Sequence, residues 1–117
     1  MAEDAPNREH PVLAIDRREG ATVVRLGGEL DLYNADQVRA GLAEASEGDP
    51  GRVVVDMSEV EFIDSTALGV LIEARSKLGK DRLALASPQL ETRRALEVSG
   101  LARHLPVHDT VDDALGA

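Results

Sequence analysis

Asp64-Ser65-Thr66 sets a carboxylate beside two hydroxyls immediately ahead of a run with helical periodicity. That placement is open to two kinds of chemistry. Any of the three can be an N-cap, its side-chain oxygen accepting a hydrogen bond from a free N–H of the first turn. A helix start that follows a buried strand is also where phosphate groups are received, because free amides and the helix dipole point there. A hydroxyl at such a place can be switched by phosphorylation.

Other residues offer less. The surroundings of Ser65 are Ile63-Asp64-Ser65-Thr66-Ala67, without the flanking glycines of the hydrolase elbow G-x-S-x-G. Gly27-Gly28 stands alone, and neither G-x-x-x-x-G-K-[ST] nor G-x-G-x-x-G occurs, so phosphate-cradling loops are not expected. His104 and His108 are four apart, a metal-ligand spacing on a helix, but Pro106 lies between them, and solvated surface histidines are expected, with no metal or other cofactor. Glu29/Asp31 and Asp56/Asp64 are possible acid–base pairs, yet among 22 acidic residues in 117 such pairs arise by chance. Ser58-Glu59-Val60-Glu61 reads as a solvated loop.

The elements that must position Ser65 follow from the apolar pattern. Met1 to Pro11 reads as a mobile arm. Val12 to Ile15 and Ala21 to Leu26 are β-prone runs joined by a polar turn ending in Gly20, an antiparallel hairpin. Ala35, Val38, Leu42 and Ala45 share one helical face behind Asn34, with Gln37 placed for a capping-box variant. Val53-Val54-Val55 lacks polar alternation and is expected as a central strand covered on both faces. Ala67, Leu71, Ala74 and Leu78 give the strongest helical pattern, ending near Gly79. Leu83 to Ala86 reads as a further buried strand, Ser87-Pro88 as a helix start with proline first, and Gly100 as that helix's stop. Thr110 to Leu115 is a short amphipathic stretch with Asp112 and Asp113 in its first turn. Strands alternating with helices at this length imply one α/β domain over 12–117 with a mostly parallel sheet.

Composition restricts the partners. Of the residues, 43% are hydrophobic but only 2% aromatic, so the core must be aliphatic. Cysteine is absent, which removes thiol catalysis and Cys-ligated zinc. A net charge of −9 argues against a nucleic-acid backbone and for a basic or neutral protein surface. No run approaches a bilayer span and the first ten residues are polar, so a cytoplasmic protein without membrane contact is expected. No exposed apolar stripe is visible, which leaves a monomer as the expectation.

Three segments resemble the STAS family, in particular its single-domain bacterial anti-sigma factor antagonists. Gly28-Glu29-Leu30-Asp31 is similar to the family's G-x-[LI]-D, Val53 to Ser58 to its central strand, and Phe62-Ile63-Asp64-Ser65-Thr66-Ala67-Leu68-Gly69-Val70-Leu71 to its D-S-[ST]-G-L-G-V-L signature. Leu96 to Leu101 resembles the close of its third helix. The likeness extends from about Val12 to Leu115 and implies a mixed sheet of four to five strands, an initial antiparallel hairpin, and three to four helices.

It further implies a regulator and not an enzyme. Ser65 would be the phosphorylation site, with Thr66 second, and Asp31, Asp64, Ser65, Thr66, Ala67, Leu68 and Gly69 would meet the partner. That partner would be an anti-sigma factor of the GHKL serine kinase type, with a PP2C-type phosphatase as an additional candidate. The unphosphorylated chain would bind it and free its sigma factor; phosphorylation would end binding. Ala67 stands where the family usually has glycine, and its extra methyl is expected to affect how closely a partner backbone approaches. The alternatives are a STAS subunit of another regulatory or lipid-transport complex without Ser65 phosphorylation, and, remotely, an acid–base hydrolase using Asp31, Asp64 and Ser65, which lacks a nearby base such as histidine.

Overall fold

A computed structural model describes residues 10–79 and 81–116. Strand β1 (Val12–Arg18) turns through Glu19-Gly20 into β2 (Ala21–Leu30), antiparallel to it with Ile15 opposite Val24. Gly20 takes φ +79°, a conformation glycine adopts without a Cβ clash. Helix α1 (Ala35–Ala45) leads to β3 (Arg52–Ile63), and α2 (Ser65–Leu78) to β4 (Leu83–Ala86). Helix α3 (Leu90–Ser99), a 3-10 turn (Leu101–Arg103), β5 (Val107–His108) and α4 (Val111–Gly116) complete the described chain. The strands lie in the order β1-β2-β3-β4-β5, with every pair after the hairpin parallel.

The main core joins one sheet face to α1, α2 and α3 through Val53, Val55, Leu42, Leu71, Leu85 and Leu96. Val54 points the other way, into a smaller cluster with Val23, Ala84 and Ala114 of α4. The valine run is therefore covered on both faces, as its lack of polar alternation requires. Gly100, at φ +82°, ends α3 in the left-handed conformation.

Three expectations about secondary structure need correction. Ser58 to Glu61 is strand: β3 runs on to Ile63 because β2 continues beside it to Leu30, with register shifts flanking Gly27 and Gly28. Val60 and Ile63 are buried there while Ser58, Glu59, Glu61 and Phe62 face out, so the acidic residues belong to the wet side of a strand. Helix α3 begins at Leu90, two residues after Pro88, because Ser87 N–H is still donated to His108 O in the β4–β5 ladder and Ser87 sits at φ 57°. The capping box at Asn34 does not form, since that side chain is spent on the preceding loop.

Pro11 belongs to the fold and not to an arm. It is buried, and its carbonyl accepts from Gly27 N–H at 2.9 Å; the rest of the expected arm, residues 1–9, lies outside the described residues. His104 is exposed, but His108 is half-buried in β5 and its Nε2 lacks a hydrogen-bond partner among the described residues. No helix among the described residues is long and apolar enough to cross a membrane.

Candidate functional site

The C-terminal ends of the parallel strands β2 and β3 meet at Leu30 and Ile63, and the chain turns from each into a helix. Two turns thereby come together at one end of the sheet, where ligand and partner sites of α/β folds gather. Gly28, at φ +77°, lets β2 bulge just before this end.

Asp64 holds the two turns. Its Oδ1 accepts from Ala67 N–H at 3.0 Å, which is the N-cap of α2, while its Oδ2 accepts from Leu32 N–H at 3.2 Å in the β2–α1 turn. Its own N–H is donated to Leu30 O at 3.0 Å. On the other turn, Asp31 Oδ1 accepts from Tyr33 N–H at 3.0 Å. Asn34 locks this loop from inside: its Oδ1 accepts from Asp31 N–H and its Nδ2 donates to Glu29 O. Both aspartates thus have the local role of turn and cap residues, which carbonyl-like short side chains perform well.

Ser65 opens α2 with its side chain exposed, and Thr66 and Gly69 are exposed with it. No acidic residue stands in the first turn of α2. Among the described residues, the Ser65 and Thr66 N–H groups have no acceptor, so an anion carried on Ser65 would meet unspent donors and the positive end of the dipole.

Two members of the expected partner surface sit elsewhere. Ala67 is 1% exposed and Leu68 9%, both in the main core. The Ala67 methyl therefore points inward and does not stand between this surface and a partner's backbone.

In their place the structure exposes large apolar side chains that the sequence reading missed. Leu32 and Tyr33 lie on the β2–α1 turn at 60% and 81% exposure, Phe62 on the outer side of β3, and Ile72 seven residues beyond Ser65 on the same face of α2. Individual large apolar side chains are thus exposed where the sequence reading expected no apolar stripe. Leu32 and Tyr33, exposed on the turn that Asp64 ties to the start of α2, are the kind of side chains that protein–protein surfaces use.

Farther along α2, Glu73 accepts from Arg39 Nε at about 3.1 Å and from Lys77 Nζ at 3.1 Å, and Arg39 also reaches Asp36. Lys77 and then Arg39 hold the Glu73 carboxyl below the usual glutamate range, and the same carboxylate raises Arg39. Because the folded-state value is depressed, this contribution to stability is present above the unfolded-state pKa and is lost as pH falls through the folded one. In a carbon-detected NMR titration Glu73 is expected to protonate at lower pH than glutamate in an unstructured peptide, and Lys77→Gln to move it upward.

Asp56 and Asp64 do not assemble as an acid–base pair. Asp56 and Asp64 are eight residues apart along β3, roughly 25 Å, and Asp56 Oδ1 is occupied by Ser58 N–H. None of the three histidines lies in the β2–α1 turn or at the start of α2. Among the described residues no three His, Asp or Glu side chains are grouped as a metal site.

Comparison with known proteins agrees with this geometry. The family model described as STAS domain matches residues 13–114. The anti-sigma-F factor antagonist RsfB of Mycobacterium tuberculosis is 31% identical over 97 residues, covering 82% of this chain and 80% of RsfB. The crystal structure of an anti-sigma factor antagonist from Mycobacterium paratuberculosis superposes with a TM-score of 0.81 at 31% identity, covering 88% of this chain and 89% of that one. The Bacillus cell fate determinant SpoIIAA in its phosphorylated form superposes with a TM-score of 0.63 at 25% identity, covering 88% and 96%.

Proposed function

Since the chain belongs to the STAS domain family, we propose that it is an anti-sigma factor antagonist that works by partner switching, with Ser65 as the phosphorylated residue. The single observation that carries the reading is exposed Ser65 at the capped start of α2, next to the β2–α1 turn that Asp64 latches and that exposes Leu32 and Tyr33. Relatives named as anti-sigma factor antagonists and the phosphorylated SpoIIAA structure support it.

In this reading the unphosphorylated surface docks on an anti-sigma factor that is also a serine kinase of the GHKL type, and the sigma factor is released. Tyr33 and Phe62 supply aromatic anchors of the kind that dominate binding energy. Asp31, Asp64, Thr66 and Gly69 shape and orient the surface, and Ala67 and Leu68 support it from the core. Phosphate on Ser65 adds about −1.5 to −2 charges beside Asp64. The helix start accommodates that charge within the fold, whereas a docked partner has to desolvate it, so the loss falls on binding. A PP2C-type phosphatase would restore the hydroxyl.

The test is intact-mass and peptide mapping after incubation with the cognate kinase and ATP. One added phosphate on Ser65, absent from Ser65→Ala, is expected. Full phosphorylation of Ser65→Ala at Thr66 would move the switch to the second hydroxyl, and no phosphate with an active kinase would favour a STAS subunit of a different complex.

A further inference from the structure

Strand β3 has a neighbouring strand on both sides only as far as Asp56, where its pairing with β4 ends at Ala86; from Glu59 to Ile63 it pairs with β2 alone. That remaining ladder is irregular, with register shifts between Arg25 and Gly27 and between Gly28 and Glu29. A ladder interrupted twice within a few residues fixes the path of a strand poorly. The same stretch leads through Ile63 and Asp64 into Ser65, so whatever holds it also sets where α2 begins.

The first turn of α3 takes the place of the missing strand. Gln89 Nε2 donates to Ser58 O at 2.9 Å and Thr92 Oγ1 to Val60 O at 3.4 Å. The two carbonyls lie two residues apart and face the same side of β3, and the two donors lie three apart on one side of a helix start, so the strand and helix repeats match. Neither side chain is spent locally. Gln89 is the N-cap residue of α3 yet makes no side-chain cap bond, and the Thr92 hydroxyl donates across to β3 instead of back to its own helix. Thr92 is 1% exposed, so water does not substitute for that bond. The turn that delivers them is strained: Ser87, directly before Pro88, takes φ 57°, and it is held there by its N–H donating to His108 O and its hydroxyl to Asp109 O.

We infer that Gln89 and Thr92 are positioning residues for Ser65, through which α3 holds the end of β3 and so fixes the start of α2 against the β2–α1 turn. The functional part of this inference rests on Ser65 being the phosphorylated residue; the clamp on β3 does not.

The experiment compares the full chain with Gln89→Met/Thr92→Val, which removes both donors at similar volume, and with Thr92→Ser, which keeps the hydroxyl. Val23→Ala is the control for lost stability alone, since Val23 lies in the smaller core and its strand partner Val54 is six residues before Val60. In the double variant the Ser65 and Thr66 cross-peaks are expected to be displaced, with relaxation dispersion from Val60 to Asp64. Phosphorylation of Ser65 by the cognate kinase is expected to lose about tenfold in kcat/KM, since a small misplacement of the reacting hydroxyl suffices. Thr92→Ser should stay close to the parent, and Val23→Ala should lower the thermal midpoint without either change. Thr92→Val alone removes one bond of the two and should show the same displacement at smaller amplitude, which keeps the test valid if the double variant folds poorly. Parental kcat/KM in the double variant, absence of dispersion from Val60 to Asp64, or an equal loss in Val23→Ala would each overturn the inference. A parent chain that an active kinase leaves without phosphate would remove the switch instead, and the relaxation data, which need no kinase, would still decide the clamp.

Discussion

Ser65→Asp is expected to bind the anti-sigma factor about 100-fold more weakly than Ser65→Ala, a difference of about 2.7 kcal/mol. The magnitude follows from where the charge sits. In the free protein the new carboxylate stands at the first residue of α2, beside N–H groups without acceptors, and the dipole contributes a few tenths of a kcal/mol in its favour. The fold is therefore unchanged or slightly stabilised, and the thermal midpoints of the two variants should agree within a few degrees. Once a partner covers Leu32, Tyr33, Phe62 and Ile72, the same carboxylate is desolvated next to Asp64 against a surface fitted to a hydroxyl, which costs about 2–5 kcal/mol for a buried unmatched charge. Ser65→Ala loses only a small polar group and should bind at least as well as the parent. Calorimetric titration of both variants against the anti-sigma factor with a non-hydrolysable ATP analogue decides the matter, and equal affinities would remove Ser65 from the switch.

The parts of this surface were legible in the sequence to different degrees, and the difference has a physical cause. Helix α2 could be located because Ala67, Leu71, Ala74 and Leu78 repeat at helical spacing, a signal written within one element. The hydroxyl at its start came with it. The apolar patch is another matter: Leu32, Phe62 and Ile72 belong to a turn, a strand and a helix, and each alone looks like an ordinary core residue. Only the pairing of Glu29 with Phe62 and Leu30 with Ile63 brings those segments to one place. One local signal was available, because in Glu61-Phe62-Ile63 two large apolar residues are adjacent in a strand and must point to opposite faces. Asn34 misled for the opposite reason. As a helix-start residue it looked like a cap, but the long-range need to close the β2–α1 turn claims its side chain. The charge of Ser58 to Glu61 suggests a loop, but the outward face of a strand carries it equally well.

Asp64 is the residue on which both turns depend, and its replacement separates their roles. Asp64→Ala removes the cap of α2, worth about 1–2 kcal/mol, together with the charge-assisted bond from Leu32 N–H, worth about 1.5–3 kcal/mol. Because Leu32 is exposed and water replaces part of the second bond, a combined loss of about 2–4 kcal/mol and a thermal midpoint lower by roughly 10 °C are expected. Asp64→Asn discriminates between the two functions. Its amide oxygen still accepts from Ala67 N–H, and asparagine caps as well as aspartate, so α2 and the thermal midpoint should be nearly preserved. Its Nδ2 then confronts Leu32 N–H, donor against donor, and the β2–α1 turn loses its latch. Leu32 and Tyr33 should gain mobility in NMR relaxation and faster amide exchange, while amides within α2 stay protected. Partner affinity should fall with them, since a loop that must be ordered on binding costs what the latch had already supplied. If Asp64→Asn leaves both the exchange of the Leu32 amide and the affinity at parental values, Asp64 is a cap alone and the apolar turn is held by Asp31 and Asn34.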